Sequence, residues 1–90
     1  MINITRQAKR QLKKILAAHV DFPEGRLRLL DRGQGKVGLG IDIEMPCDEL
    51  VECAGSTILV IEQRLARSLE GVTLDIESNG SGPQLILLYG

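Results

Sequence analysis

The chain is poor in the groups that most often carry chemistry. It has no tryptophan, one tyrosine (Tyr89), one phenylalanine (Phe22), one histidine (His19) and two cysteines (Cys47 and Cys53). Two isolated rings cannot offer the row of platforms on which single-stranded bases stack. A formal net charge of −1 argues against a dedicated duplex binder, so nucleic acid is not an expected partner. No apolar run approaches the roughly 18 residues of a membrane span. Aliphatic runs stop at four residues, as in 58–61 and 85–88. The opening Met1-Ile2-Asn3-Ile4-Thr5 lacks the apolar stretch of a secretory signal, so the expected setting is the cytoplasm. Two cysteines do not make a disulfide framework there.

What is present fits one domain over residues 1–90 with a modest core. Apolar residues are 43% and charged residues 26%, which separates the chain from disordered sequences. The charges are unevenly placed. Residues 6–14 hold five of the eleven basic residues and no acid, while the rest of the chain carries six basic residues and twelve acids.

The hydrophobic period gives the elements. Over residues 5–19 it is helical. Ile4, Ala8, Leu12, Ile15, Leu16 and Ala18 share one side, with Arg6, Lys9, Arg10, Lys13 and Lys14 opposite. Thr5 is the expected N-cap, and His19 falls in the last turn, near the edge of the core. The period then becomes two. Strands are expected at 26–30, 37–44, 50–53 and 57–61, the last apolar on both faces and so central. A short helix at 62–70 ends at Gly71, a residue suited to the left-handed C′ position. Strands at 72–76 and 84–89 follow, joined by a turn over 78–83. The order αββββαββ, with no crossover helices between most strands, predicts an α+β fold of two mostly antiparallel sheets.

Few segments suggest chemistry. Gly33-Gln34-Gly35-Lys36-Val37-Gly38 matches a dinucleotide-binding spacing, but that motif needs a helix opening here and the next residues alternate as a strand. The glycines are expected to serve a hairpin, and Gly33 and Gly35 beside Arg32 and Lys36 could turn N–H groups toward an anion. No serine or cysteine stands in a nucleophile motif beside His19, so no catalytic residue is assigned and an enzyme is not expected. Cys47 and Cys53, with Asp48, Glu49 and Glu52 between them, could hold a soft metal. Their spacing is not that of a zinc knuckle and there is no second pair, so no metal site is expected. Cys53 is expected to be a small buried residue and Cys47 a loop thiol. The uninterrupted cationic arc of the first helix suits an acidic protein partner.

The element order and several phrases resemble the A-type iron–sulfur carrier family, the HesB/IscA-like domain of iron–sulfur cluster biosynthesis. The phrases are Ile4-Thr5 with Ala8 and Leu12; Leu27-Arg28-Leu29 before the glycine-rich turn; Asp48-Glu49-Leu50-Val51-Glu52 before Ile58-Leu59-Val60-Ile61; and Leu69-Glu70-Gly71-Val72-Thr73-Leu74-Asp75. The resemblance covers nearly the whole chain. It implies a cluster held by three cysteines, one in the glycine-rich turn and two in a Cys-Gly-Cys tail beyond the last strand. Here residues 32–38 contain no cysteine, and the last residues, Tyr89-Gly90, come ahead of any such tail. Neither Cys47 nor Cys53 falls at a ligand position of the family.

The expectation is therefore a degenerate HesB-like domain, a non-enzymatic accessory or binding module with no cofactor, related to iron–sulfur assembly. Two other readings stay open. One is a metal or iron–sulfur site drawing Cys47 and Cys53 from the two subunits of a homodimer. The other is a small-anion or phosphorylated-ligand site at the glycine-rich turn.

Overall fold

The computed structural model describes residues 2–80 and 82–89. In chain order the elements are β1 (Asn3–Ile4), α1 (Arg6–His19), β2 (Gly25–Gly33), β3 (Lys36–Ile43), β4 (Glu49–Cys53), β5 (Ser56–Ile61), α2 (Gln63–Ser68), β6 (Thr73–Asn79) and β7 (Gly82–Leu88).

The first helix begins where the sequence places it. Thr5 caps it in an extended conformation, its hydroxyl oxygen accepting the Ala8 N–H at 3.1 Å. Ala8 and Leu12 are fully buried, Ile15 and Leu16 pack half-buried against the core, and Arg6, Arg10, Lys13 and Lys14 are exposed. Lys9 is half-buried. Ala18 and His19 are exposed, against the expectation of an apolar-side alanine and a core-edge histidine.

Two mixed sheets build the rest, in an α+β arrangement. Four strands lie in the order β3-β2-β5-β4, and three in the order β1-β6-β7. The hairpins β2–β3, β4–β5 and β6–β7 are antiparallel, whereas β2 pairs with β5, and β1 with β6, in parallel. Strand β5 is interior, as its two-faced apolar run implies: Ile58, Leu59, Val60 and Ile61 all have zero exposure. Leu12, Leu27, Leu29, Leu59, Ile61 and Leu74 join α1 and both sheets in one core. Among the described residues no helix is long and apolar enough to cross a membrane.

Four details depart from the sequence expectation. Strand β1 was not foreseen, because two residues are too few to show a period; it exists because its backbone pairs with Thr73 and Leu74 of β6. Helix α2 is shorter than 62–70, ending in a turn that closes on Gly71 at φ 80°. The turn expected over 31–36 narrows to Gln34-Gly35, with φ of 55° and 74°, because β2 continues to Gly33. Positive φ at both central residues is the conformation of tight two-residue hairpins. The β6–β7 hairpin is also tighter than expected, with pairing out to Asn79 and Gly82. Ser81 of its turn, like Met1 and Gly90, lies outside the described residues.

Candidate functional site

The glycine-rich turn and the end of β7 meet at one corner of the molecule. A Cβ placed on Gly35 would lie 3.7 Å from the Tyr89 hydroxyl. Asp31, Gln34 and Lys36 from the turn, Leu65 and Ser68 from α2, and Leu87 and Tyr89 from the end of β7 line one shallow concavity. Sequence reasoning named the turn but had no means of placing Tyr89 beside it, since the two are more than fifty residues apart.

The polar groups at this corner are partly engaged. The Asp31 carboxylate accepts the Gly33 N–H at 2.8 Å, inside a bulge that spreads β2 between Asp31 and Gly33. One of the N–H groups considered for an anion therefore already faces a negative charge. Arg32 does not close over the turn; its guanidinium lies beside Gly38, where an added Cβ would come within 2.6 Å of Nε. Lys36 remains exposed at the turn. Ser68 Oγ donates to the Leu65 carbonyl at 2.8 Å.

The two cysteines are placed elsewhere. Both are free thiols, Cys47 exposed and Cys53 half-buried rather than fully buried. They flank opposite ends of β4, whose five residues alone span about 13 Å at ~3.3 Å per residue. One chain does not bring them onto one metal ion. Cys47, at φ 70°, faces a shallow concavity with Glu49, Gln63 and Arg67. Cys53 leads into the Ala54-Gly55 turn. Among the described residues no three side chains of the metal-ligating types converge.

The loop that carries Cys47 is held by a charge cluster. Arg28 Nη1 and Nη2 donate to the two oxygens of Asp48 at 3.1 and 2.6 Å, and Nε donates to Asp42 at 2.8 Å. Asp48 also accepts the Met45 N–H, and its side chain is 4% exposed. The hydrogen bonds from Arg28 hold the Asp48 carboxyl below the usual carboxylate range and raise the Arg28 guanidinium above its ordinary value. This fork-to-carboxylate geometry fixes a loop.

The basic arc of α1 is the largest one-signed surface the sequence predicted, and the structure leaves Arg6, Arg10, Lys13 and Lys14 on one open face.

Comparison with solved structures is decisive for the architecture. A crystal structure of IscA with a [2Fe-2S] cluster superposes with a TM-score of 0.64 at 20% identity, covering 99% of this chain and 85% of that one. The Escherichia coli SufA structure, a protein involved in biosynthesis of iron–sulfur clusters, superposes with a TM-score of 0.69 at 20% identity, covering 98% and 84%. The fold is that of IscA and SufA. The likeness expected from the sequence phrases therefore holds for the backbone. No protein-family model matches the chain. No curated protein matches it in sequence.

Proposed function

We propose that this IscA-like chain is a non-enzymatic binding module of the cytoplasm, related to iron–sulfur assembly, that does not hold a cluster in the family's way. One observation carries the reading. At the corner where the glycine-rich turn meets the end of β7, the described side chains offer a carboxylate, an ammonium, a hydroxyl and a phenol, but no thiol. Iron–sulfur clusters are held by cysteine thiolates, with histidine in a few cases. The donor set does not fit such a cluster. What remains to recognise a partner is the cationic face of α1, whose charge suits an acidic protein surface.

The anion reading of the turn is less favoured, because Asp31 occupies the Gly33 N–H. The cross-dimer reading of Cys47 and Cys53 is separated by experiment. Protein reconstituted anaerobically with iron and sulfide and then desalted should retain less than about 0.2 iron per chain. Stoichiometric iron with a thiolate charge-transfer band, lost in Cys47→Ser or Cys53→Ser, would overturn the proposal in favour of a shared site.

A further inference from the structure

Among the described residues six large apolar side chains are strongly exposed, and three of them gather at the end of β3: Phe22 at 41%, Ile41 at 51% and Ile43 at 47%. The clustering follows from the register. Leu27 and Leu29 of β2 face the core, and their β3 partners Ile41 and Leu39 share that face. Only the first half of β3 meets the second sheet: Val37 and Leu39, like Leu85 and Leu87 of β7, pack against the core, and the two pairs line one concavity between the sheets. Beyond it Ile41 and Ile43 continue the core face into solvent. Gly25 pairs with Ile43, and the place of its missing side chain is filled by Val20 and the Phe22 ring, whose Cζ would lie 2.9 Å from an added Cβ. The ring is thus seated beside Ile43.

The patch has acidic surroundings. Asp21, Glu24 and Glu44 are exposed, and among the described residues none of them enters an ion pair. Of the nearby cations Arg28 is paired with Asp42 and Asp48, while Arg26 keeps its charge, its Nη1 donating to the carbonyls of Pro23 and Gly25, so three unpaired acids face one unpaired cation. We infer that this patch is a docking site for a basic amphipathic helix of a partner protein. This goes beyond the cationic face of α1, being a separate surface of opposite sign.

Two observations select that occupant. The first is the state of the strand edge. The Ile43 N–H donates to Asp42 Oδ1 at 2.8 Å, and the Ile43 carbonyl accepts from Arg28 Nη2 at 3.1 Å. Side chains cap both backbone groups, which disfavours addition of a partner strand here. Recognition then runs through side chains, as when a helix lays its apolar face on a groove. The second is size and sign. Three half-exposed side chains present on the order of 250 Å² of apolar surface, well short of the roughly 800 Å² per partner of a stable globular interface. A short segment fits that area better than a second copy, and a two-fold pairing would set Asp21, Glu24 and Glu44 near their own counterparts.

The test uses the full chain and three fluorescent synthetic peptides: a helix with Leu at i, i+3, i+4 and i+7 and Lys elsewhere, the same peptide with Leu replaced by Ser, and the same with Lys replaced by Glu. The Leu/Lys peptide should bind, with amide shifts centred on Phe22, Ile41 and Ile43. Both controls should bind at least about tenfold more weakly. Ile43→Ser, and separately Glu24→Lys with Glu44→Lys, should each weaken binding by roughly tenfold without shifting the melting temperature. The charge-reversed pair keeps the test decisive if Ile43→Ser perturbs folding. Absence of binding, equal binding of either control, shifts centred on another face, or dimerisation of the free protein that Ile43→Ser abolishes would each overturn the proposal.

Discussion

Thr5 Oγ1 donates a 2.6 Å hydrogen bond to Asp75 Oδ1 while accepting the Ala8 N–H at 3.1 Å. One hydroxyl thereby starts α1 and ties it to β6, seventy residues away. The Asp75 carboxyl is held below the usual range, first by the Thr5 hydroxyl and then by the Ile76 N–H. Thr5→Ser should retain both bonds. Thr5→Ala loses the cap and should cost about 1–2 kcal/mol in urea unfolding. Equal stability of the Ala and Ser variants would show that the clip contributes nothing.

Acid should act on the loop before β4. The folded-state pKa of Asp48 is depressed, so its contribution to stability is whole above the unfolded value of about 3.9 and is lost as pH falls through the lower folded value. Urea midpoints should therefore be flat from neutral pH to about pH 5 on this account and fall below about pH 4. Asp48→Asn should remove part of that acid-side slope. At neutral pH it should cost about 2–3 kcal/mol, less than the 3–5 of a fully isolated buried pair, because Asp42 still meets the Arg28 guanidinium.

Two glycines should respond differently to a methyl group. At Gly25 the added carbon would run into Val20 Cγ1 and approach Phe22 Cζ at 2.9 Å. Val20 is branched and stiff, so Gly25→Ala should destabilise by about 1–3 kcal/mol. At Gly38 the obstacle is the Arg32 guanidinium, the end of a long exposed side chain. Gly38→Ala should stay within about 0.5 kcal/mol. Thermal unfolding of the two variants side by side checks the ranking.

The cationic face of α1 is tested by reversing Lys9, Lys13 and Lys14 to Glu. The changes at exposed Lys13 and Lys14 should each move stability by no more than about 0.5 kcal/mol, that at half-buried Lys9 by more, and recovery of acidic partners from the source cell's lysate should drop. Recovery by the unaltered protein should itself decline as salt rises, since screening at physiological ionic strength acts over about 8 Å. Identical partner recovery by both proteins at both salt levels would leave α1 a solvated face.

Much of the fold was legible because it is written in local periods. The spacing of Ala8, Leu12 and Leu16 marks α1, and alternation in residues 37–43 marks β3. The parallel contact of β2 with β5 was not legible, since pairing of distant strands leaves no trace in either one alone. The site divides in the same way. The absence of cysteine from the turn is plain in the sequence, whereas the approach of Tyr89 to Gly35, the fork of Arg28 on Asp48 and the seat of Phe22 above Gly25 depend on how the strands are set beside one another. The exposure of Ile41 and Ile43 was hidden for a related reason: alternation assigns them to the core face but not to the part of it that the second sheet covers.

The parallel pairing of β1 with β6 bears on how the chain reaches its native state. The four-stranded sheet uses only residues 25–61, a contiguous stretch that can order on its own schedule. The three-stranded sheet joins Asn3 and Ile4 to Thr73 and Leu74, so its closure waits for a loop of about seventy residues. Pulse-labelled hydrogen exchange during refolding should therefore protect amides of β2 and β5 before those of β6, and a ribosome-tethered chain stopped before residue 73 should hold an ordered sheet with its first residues still unattached.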